Sequence, residues 1–218
     1  NLNLKSTLKP YRPQDGIIKA GDDYFAWLSA VPNGVVSGDL IVNGKKTKLT
    51  GSGYHDHNWG NTPLQYLFDN WVWFRGEIED KTIVAAVLYM TDKRGGYDVP
   101  ILYIADSLKV HVNKFGEDGL YTRKSTRITD LYNKHNEPLF KELDMITEDG
   151  FRVNIIGNSV IDNSNLFKRG RMPYPIRLAM GAAKIDPFYT RFDSEMSLSI
   201  DGKAPKTGFG VFEIMDLK

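Results

Sequence analysis

Alternation with a period of two residues runs through most of this sequence, and no other feature restricts its fold as strongly. One face of residues 69–79 carries two tryptophans, an arginine and a glutamate, and the other face is mainly apolar. The residues of the first face are Trp71, Trp73, Arg75 and Glu77. Residues 83–90 are apolar on both faces, as expected for a central, buried strand. Such segments recur about every 8–12 residues, which predicts an all-β fold, either an antiparallel barrel or a sandwich.

Turn signals separate the predicted strands, and the Asn43-Gly44 pair predicts a tight hairpin. Further turns are predicted at residues 93–96, 148–150 and 201–202, and a short helix at residues 175–183. The predicted strands cover residues 35–42, 45–49, 69–79, 83–90, 99–105, 107–112, 127–131, 139–146, 152–158, 194–200 and 208–215.

The first part of the chain is less regular than the rest. We assign residues 1–32 to an irregular segment, the expected end of a preceding β domain, and residues 33–218 to one β domain. The first residue is asparagine rather than methionine, which suggests a processed product or a domain of a longer protein.

Composition excludes several classes of function. The 28 basic and 27 acidic residues nearly balance and form no basic stripe, so a nucleic-acid partner is not expected. Cysteine is absent, which excludes a disulfide scaffold, a thiolate nucleophile and cysteine-ligated metals. No apolar run approaches the ~20 residues of a membrane span, and no signal-peptide pattern is present. These features favour a cytoplasmic location without fixing the compartment.

Residues 51–61 hold the densest group of polar and aromatic side chains, bracketed by glycines that permit close backbone approach or a bulge. If the segment is a strand, one face carries His55, His57 and Trp59, and the other carries Tyr54, Asp56 and Asn58. A carboxylate beside an imidazole can orient it for acid–base chemistry. The cluster therefore predicts a functional site, and the alternative is a buried hydrogen-bond network that fixes a corner of the fold.

Two other chemistries compete for this cluster. His55 and His57 could chelate a divalent metal, but neither His111 nor His135 is an obvious third ligand, so no metal is expected. A serine triad is unsupported, because the sequence contains no Gly-x-Ser-x-Gly elbow.

The tryptophan face of residues 69–79 has two interpretations. The indoles could be core residues, with Arg75 and Glu77 as a surface pair at the strand end. Alternatively, Trp71 and Trp73 line an apolar cavity, where aromatic faces stabilise a developing carbocation.

The motif Gly-x-Gly-Tyr-His-Asp-His-Asn-Trp-Gly at residues 51–60, followed by a tryptophan-rich strand, resembles the lipocalin-like carotenoid 1,2-hydratase superfamily. That superfamily includes hydroxyneurosporene synthases, AttH-like proteins and fungal decalin-forming Diels–Alderases. The resemblance is specific over about residues 30–92, and residues 191–213 are similar to the family's last strands. It implies a lipocalin-like, calycin-type barrel over residues 33–218 that forms the C-terminal part of a two-barrel protein.

The resemblance also implies chemistry on a lipophilic isoprenoid, polyene or polyketide-like substrate, without metal or organic cofactor. The histidine and tryptophan that line the hydratases' reaction site match His57 and Trp59. A later Tyr-x-Asp pair supplies a tyrosine and a proton donor; here Tyr89 matches, but Thr91 stands at the position of the acid. Asp92 is displaced by one residue and faces inward only if a bulge intervenes. We therefore expect poor hydration of an isolated alkene.

Three functional hypotheses follow. In the first, the chain is a cofactor-independent lyase or isomerase: Asp56, His57, His55 and Tyr89 are the candidate catalytic residues. The candidate substrate-binding residues are Trp59, Tyr54, Asn58, Trp71, Trp73, Arg75 and Glu77. In the second, it is a lipocalin-like carrier of a hydrophobic ligand, and in the third a metal hydrolase that uses His55 and His57. The expected partners are a small lipophilic ligand, a membrane surface in peripheral contact, and a preceding barrel domain.

Overall fold

The computed structural model describes residues 1–116, 118–129, 138–166, 173–182 and 187–217. The strands are β1 Leu2–Ser6, β2 Ile17–Ala20, β3 Asp23–Val42, β4 Lys45–Gly60, β5 Phe68–Ile78, β6 Lys81–Met90, β7 Asp98–Ala105, β8 Val110–Phe115, β9 Leu120–Thr129, β10 Pro138–Thr147, β11 Phe151–Asn165, β12 Phe188–Ile200 and β13 Lys206–Asp216. Helix α1 covers Tyr174–Ala182, and short 3₁₀ helices cover Leu64–Tyr66 and Asp92–Arg94. None of the described helices is long and apolar enough to cross a membrane.

Nine antiparallel strands form a nearly closed barrel, in the order β8-β7-β6-β5-β13-β12-β11-β10-β9. Each of these strands contributes apolar side chains to the interior of the barrel. Four of these side chains are fully buried: Phe74, Phe212, Ile83 and Met145. Such packing follows directly from the alternation of the strands, since every second side chain points inward. The predicted all-β antiparallel barrel is confirmed.

A second, smaller sheet lies against the outside of the barrel. Its long hairpin of β3 and β4 pairs with β1 and β2 through β3. A separate apolar cluster fills the space between this sheet and the barrel, with Phe25, Trp27 and Tyr11 on one side and Leu88 and Tyr103 on the other. The described residues thus form two cores, one inside the barrel and one between the barrel and the hairpin.

The turn at Asn43-Gly44 forms as predicted, because both residues adopt the positive φ that a tight hairpin requires. Strand β3, however, begins at Asp23, well before the predicted start at residue 35. Two register shifts, between Leu28 and Val31 and between Val31 and Gly34, interrupt the alternation there. These bulges hide the strand from a period-two pattern. Strand β3 also runs continuously across the predicted domain boundary at residue 32.

Another difference concerns residues 107–112. Strand β8 begins only at Val110, because the Asp106 carboxylate accepts hydrogen bonds from the backbone N–H groups of Leu108 and Lys109 and holds them in a turn. The His111 ring contacts the same carboxylate at 2.5 Å. The predicted strands at residues 69–79, 83–90, 99–105, 139–146 and 208–215 and the helix agree with the structure to within two residues, apart from ends that lie outside the described residues. Strands β4, β9, β11 and β12 each extend at least six residues beyond the prediction at one end, and β1 and β2 lie in the segment that was expected to be irregular.

Candidate functional site

A cavity of about 380 Å³ lies between the β3–β4 hairpin and the outer face of the barrel. The hairpin lines it with Phe25, Trp27, Tyr54, Asp56 and Asn58. The barrel lines it with Trp71, Trp73, Ala86, Leu88, Tyr189, Arg191 and Glu213. The cavity is therefore walled mainly by aromatic rings, with one guanidinium and two carboxyl groups among them.

The register of four neighbouring strands builds the barrel wall of this cavity. Arg191 on β12 pairs with Glu213 on β13, which pairs with Trp73 on β5, which pairs with Ala86 on β6. Directly paired residues point to the same face of a sheet. Residues distant in the sequence thus form one row across the barrel, and a second row with Trp71 and its partners lies beside it.

Asp56 is held by the aromatic residues of the hairpin. Trp27 donates a hydrogen bond through Nε1 to Asp56 Oδ2 at 3.0 Å, and the Tyr54 hydroxyl donates to the same oxygen at 3.2 Å. Burial, followed by the nearby charge of Asp56, raises the pKa of Tyr54, so this phenol remains a donor near neutral pH. The ring of Tyr54 lies 5.0 Å from that of Trp73, centroid to centroid, and so connects the two walls.

Glu213 and its neighbours form the opposite polar group. Arg191 donates from Nε to Glu213 Oε1 at 2.9 Å and from Nη2 to the Tyr189 hydroxyl at 2.8 Å. Burial is the largest cause of a raised pKa at Glu213, the charge of Asp56 adds to it, and the bonds from Tyr189 and Arg191 oppose it. Glu213 therefore holds a proton more readily than an exposed glutamate does. Burial likewise raises the pKa of Tyr189.

The polar cluster alternates as the sequence predicts, but the opposite face lines the cavity. Tyr54, Asp56 and Asn58 point to the barrel. The structure corrects the predicted placement of His57 and Trp59, which are exposed on the outer face of β4, where their rings stack 5.3 Å apart. His55 is exposed on the same outer face.

The tryptophan face of β5 is divided between two roles. Trp71 and Trp73 line the cavity, which favours the cavity interpretation over the core interpretation for these two residues. Arg75 and Glu77 were predicted to bind substrate, but the structure corrects this placement, because neither side chain lines the cavity. They form an ion pair instead, with Arg75 Nη2 2.6 Å from Glu77 Oε1. Arg75 also donates from Nε to the backbone oxygen of Pro32 at 3.4 Å, so it ties β3 to the barrel.

Tyr89 belongs to the other core, because it points into the barrel interior rather than to the cavity between barrel and hairpin. Tyr89, a predicted catalytic residue, therefore does not line the cavity that contains Asp56. The Nζ atom of Lys124 lies 3.6 Å from the centroid of its ring. Asp92 is exposed in the 3₁₀ helix Asp92–Arg94, so no bulge turns it inward.

Seven side chains of the cavity were not among the predicted site residues, and four of them carry a polar group: Trp27, Tyr189, Arg191 and Glu213. The similarity of residues 191–213 to the family's last strands was the one signal that pointed to two of them. Within the described residues, no three histidine or carboxylate side chains lie close enough together to hold a metal ion. His135, considered as a ligand above, lies outside the described residues.

Known proteins resemble this chain in sequence and in fold. A family model described as carotenoid hydratase CrtC matches residues 15–114. The quinolone epoxide rearrangement protein asqO of Emericella nidulans is 34% identical over 53 residues, which are 24% of this chain and 14% of that protein.

Two solved structures share the fold. Kievitone hydratase from Nectria haematococca superposes with a TM-score of 0.65 and 13% identity over 99% of this chain and 60% of its own. CghA with Sch210972 superposes with a TM-score of 0.62 and 10% identity over 89% of this chain and 55% of its own. The chain thus spans well under two thirds of each relative's length. The predicted resemblance is confirmed: residues 15–114 match the carotenoid hydratase model, and the chain shares the fold of these solved structures.

Proposed function

We propose that this chain carries the active site of a cofactor-independent lyase or isomerase that acts on a lipophilic substrate in the cavity between hairpin and barrel. One observation carries the proposal: two carboxyl groups, Asp56 and Glu213, occupy an aromatic cavity in different environments. Two carboxyl groups held in different environments are a usual basis of an acid–base pair.

Glu213 is the proposed general acid. Its raised pKa favours the protonated form more than at an exposed glutamate, and Arg191 stabilises the carboxylate that remains after the proton has left. The proton goes to an alkene carbon or to an epoxide oxygen of the substrate, and electron deficiency develops on the adjacent carbon. Glu213 thus replaces the acid that the sequence lacks at Thr91.

Asp56 is the proposed partner of the electron-deficient carbon. Its carboxylate can attract the developing positive charge, or take a proton from the neighbouring carbon and so complete an isomerisation. Asp56 then releases this proton to solvent, and Glu213 takes one up from solvent before the next turnover. Water that adds to the cation instead would complete a hydration and return a proton to Glu213. The indole faces of Trp71 and Trp73 stabilise the same charge through cation–π attraction.

The size and lining of the cavity support a small lipophilic substrate. Its volume of about 380 Å³ falls within the range of small-molecule sites, about 300–1,000 Å³. The names of two relatives, a quinolone epoxide rearrangement protein and a kievitone hydratase, refer to an epoxide reaction and a hydration. Both reactions can start with the proton transfer proposed for Glu213.

The experiment is to incubate the purified protein with isoprenoid alkenes and epoxides in D₂O, without added metal or cofactor, and to follow products and deuterium by mass spectrometry. Glu213→Gln and Asp56→Asn should each lower the rate by at least about 100-fold, the usual size of general acid–base catalysis. Asp118→Asn, the same change at an exposed carboxylate, should have no effect. Ligand binding without turnover by the unaltered protein would favour the carrier instead.

Two further predictions about partners are part of this proposal. A preceding barrel domain is supported by the length of the relatives, of which this chain spans about 60% in kievitone hydratase. Peripheral membrane contact is supported by the tip of the β3–β4 hairpin, where Ile41 and Val42 are 65% and 56% exposed beside the exposed Lys45 and Lys46. Apolar tips flanked by lysines suit an anionic lipid surface.

A further inference from the structure

The barrel has a second cavity, which lies in the gap between its two edge strands. Among the residues that the structure describes, no strand pairing joins β8 to β9. Strand β8 pairs with β7 only from Ile101 onward, and Pro100 has no N–H with which to extend that ladder. The first residues of β7 therefore face β9, where Lys124 Nζ lies 4.0 Å from Asp98 Oδ2. A cavity of about 440 Å³ occupies this gap, and we call it the seam cavity.

Most side chains that line the seam cavity point into the barrel. Leu102 belongs to the interior core, so alternation places Pro100 and Asp98 on the inward face of β7. Leu120 belongs to the same core, which places Thr122 on the inward face of β9. The lining residues are Asp98, Pro100, Leu120, Tyr121 and Thr122. The volume falls within the range of small-molecule sites, about 300–1,000 Å³, so the seam cavity is a second candidate ligand site.

Lys124 adds a hydrogen-bond donor beside the seam cavity. It follows Thr122 by two residues on the same face of β9, and its Nζ atom lies 3.6 Å from the ring centroid of Tyr89 and 5.6 Å from that of Phe140. Within the described part of the chain, this nitrogen makes no hydrogen bond, and its one ion contact is the long one to Asp98. Burial lowers the pKa of Lys124, because an ammonium group is costly to hold there. A partly buried ammonium group without an acceptor favours a ligand that supplies an oxygen atom.

The charges beside the seam cavity decide the class of that ligand. Asp98 would repel an anionic ligand and Lys124 a cationic one, so a neutral molecule suits the site best. We propose that the seam cavity binds a small neutral molecule whose carbonyl oxygen accepts hydrogen bonds from Lys124 and from the hydroxyl of Thr122. The apolar body of the ligand packs on Pro100 and Leu120. The seam cavity and the cavity under the hairpin share no lining residue, so the inference does not depend on the proposed function.

Three probes of similar shape test the ligand class. Benzylacetone carries the carbonyl group, isopentylbenzene has a methyl group in place of the carbonyl oxygen, and hydrocinnamate has a charged oxygen in place of the ketone's methyl group. Titrations followed by nuclear magnetic resonance should show benzylacetone binding at least about tenfold more tightly than either of the others. The signal of its isotope-labelled carbonyl carbon should move downfield as the oxygen accepts hydrogen bonds. Tryptophan fluorescence reports the other cavity separately, since three tryptophans line that cavity.

Substitutions assign the binding to its residues. Lys124→Met removes the ammonium group and keeps a side chain of similar length, so it should weaken benzylacetone binding at least about tenfold and leave isopentylbenzene unchanged. Thr122→Val removes only the hydroxyl and should weaken benzylacetone binding about threefold, which makes it the deciding variant if Lys124→Met does not fold. Lys48→Met and Thr207→Val make the same changes at exposed positions and should alter neither affinity.

The possible outcomes are distinct. Equal binding of benzylacetone and isopentylbenzene, or an unchanged affinity for benzylacetone in both site variants, would refute the carbonyl site. Tighter binding of hydrocinnamate would refute the neutral ligand, because Asp98 would then not exclude an anion. Failure of benzylacetone to bind would also overturn the inference. None of these results bears on the proposed function, which is tested by Glu213→Gln and Asp56→Asn in the other cavity.

Discussion

The hydrogen bonds to Asp56 lead to a specific prediction about stability. Both donors, Trp27 Nε1 and the Tyr54 hydroxyl, are directed at the same oxygen, Oδ2. Trp27 is only 4% exposed, so its indole N–H cannot turn to water when the acceptor is removed. Asp56→Ala deletes this acceptor, whereas Asp56→Asn keeps one oxygen that can take the place of Oδ2.

The expected magnitudes follow from this geometry. A buried donor left without an acceptor costs about 1–3 kcal/mol, so Asp56→Ala should lower the free energy of unfolding by about 2–6 kcal/mol. A hydrogen bond to a charged acceptor exceeds one to a neutral acceptor by about 1 kcal/mol, so Asp56→Asn should cost about 2 kcal/mol for the two bonds. Asp56→Ala alone could therefore remove a large part of a typical stability of about 5–15 kcal/mol.

Urea unfolding at neutral pH, followed by tryptophan fluorescence, measures both losses by linear extrapolation. Tyr54→Phe combined with Asp56→Asn in a double-mutant cycle isolates the Tyr54 bond from other effects. Asp118→Asn is the matched control at an exposed site. A smaller loss in Asp56→Ala than in Asp56→Asn, or a loss below about 0.5 kcal/mol in Asp56→Ala, would refute the reasoning.

The remaining predictions concern pH, the outer face, metal content and the hairpin tip. The pKa of Glu213 is raised in the folded protein, so the free energy of unfolding falls as pH rises from the pKa of this group in the unfolded chain to its pKa in the folded protein. Glu213→Gln should flatten this part of the curve of stability against pH, measured by urea unfolding. His57→Ala should change the free energy of unfolding by less than about 0.5 kcal/mol in the same assay, since the residue is exposed. Elemental analysis should find no stoichiometric zinc, and a full equivalent lost in a double variant of His55 and His57 would contradict this. Replacing Ile41 and Val42 with serine should weaken sedimentation with anionic vesicles, and unchanged sedimentation would exclude the tip as a contact.

The sequence predicts the barrel well because its strands obey one simple rule. A barrel that buries one face of every strand imposes strict alternation, and the apolar run at residues 83–90 of β6 marks the strand that is covered on both sides. The rule fails at β3, where two bulges shift the register, and at β8, where Asp106 caps a turn. In both places a local hydrogen-bond pattern overrides the average periodicity.

The candidate site is harder to predict, because alternation divides a strand into two faces without stating which face is covered. Strand β4 carries polar and aromatic side chains on both faces, so the histidines and Asp56 were equally plausible cavity residues. Which face is covered depends on how the hairpin packs on the barrel. Trp27 determines which face of the hairpin is covered. Its indole packs in the core between hairpin and barrel, and its N–H needs an acceptor there, which Asp56 provides.

The acid of the proposed reaction illustrates why sequence spacing alone could not locate it. The family pattern directs attention to position 91, two residues after Tyr89, but Tyr89 points into the barrel and the chain then enters a 3₁₀ turn. Glu213 lies on β13, far along the chain, and reaches the cavity only because β13 pairs with β5 and so stands directly beside Trp73. Its chemistry is also a property of the assembled site, since burial and the charge of Asp56 raise its pKa. In the proposed reaction, the acid that is missing after β6 is supplied by β13, another strand of the same barrel wall.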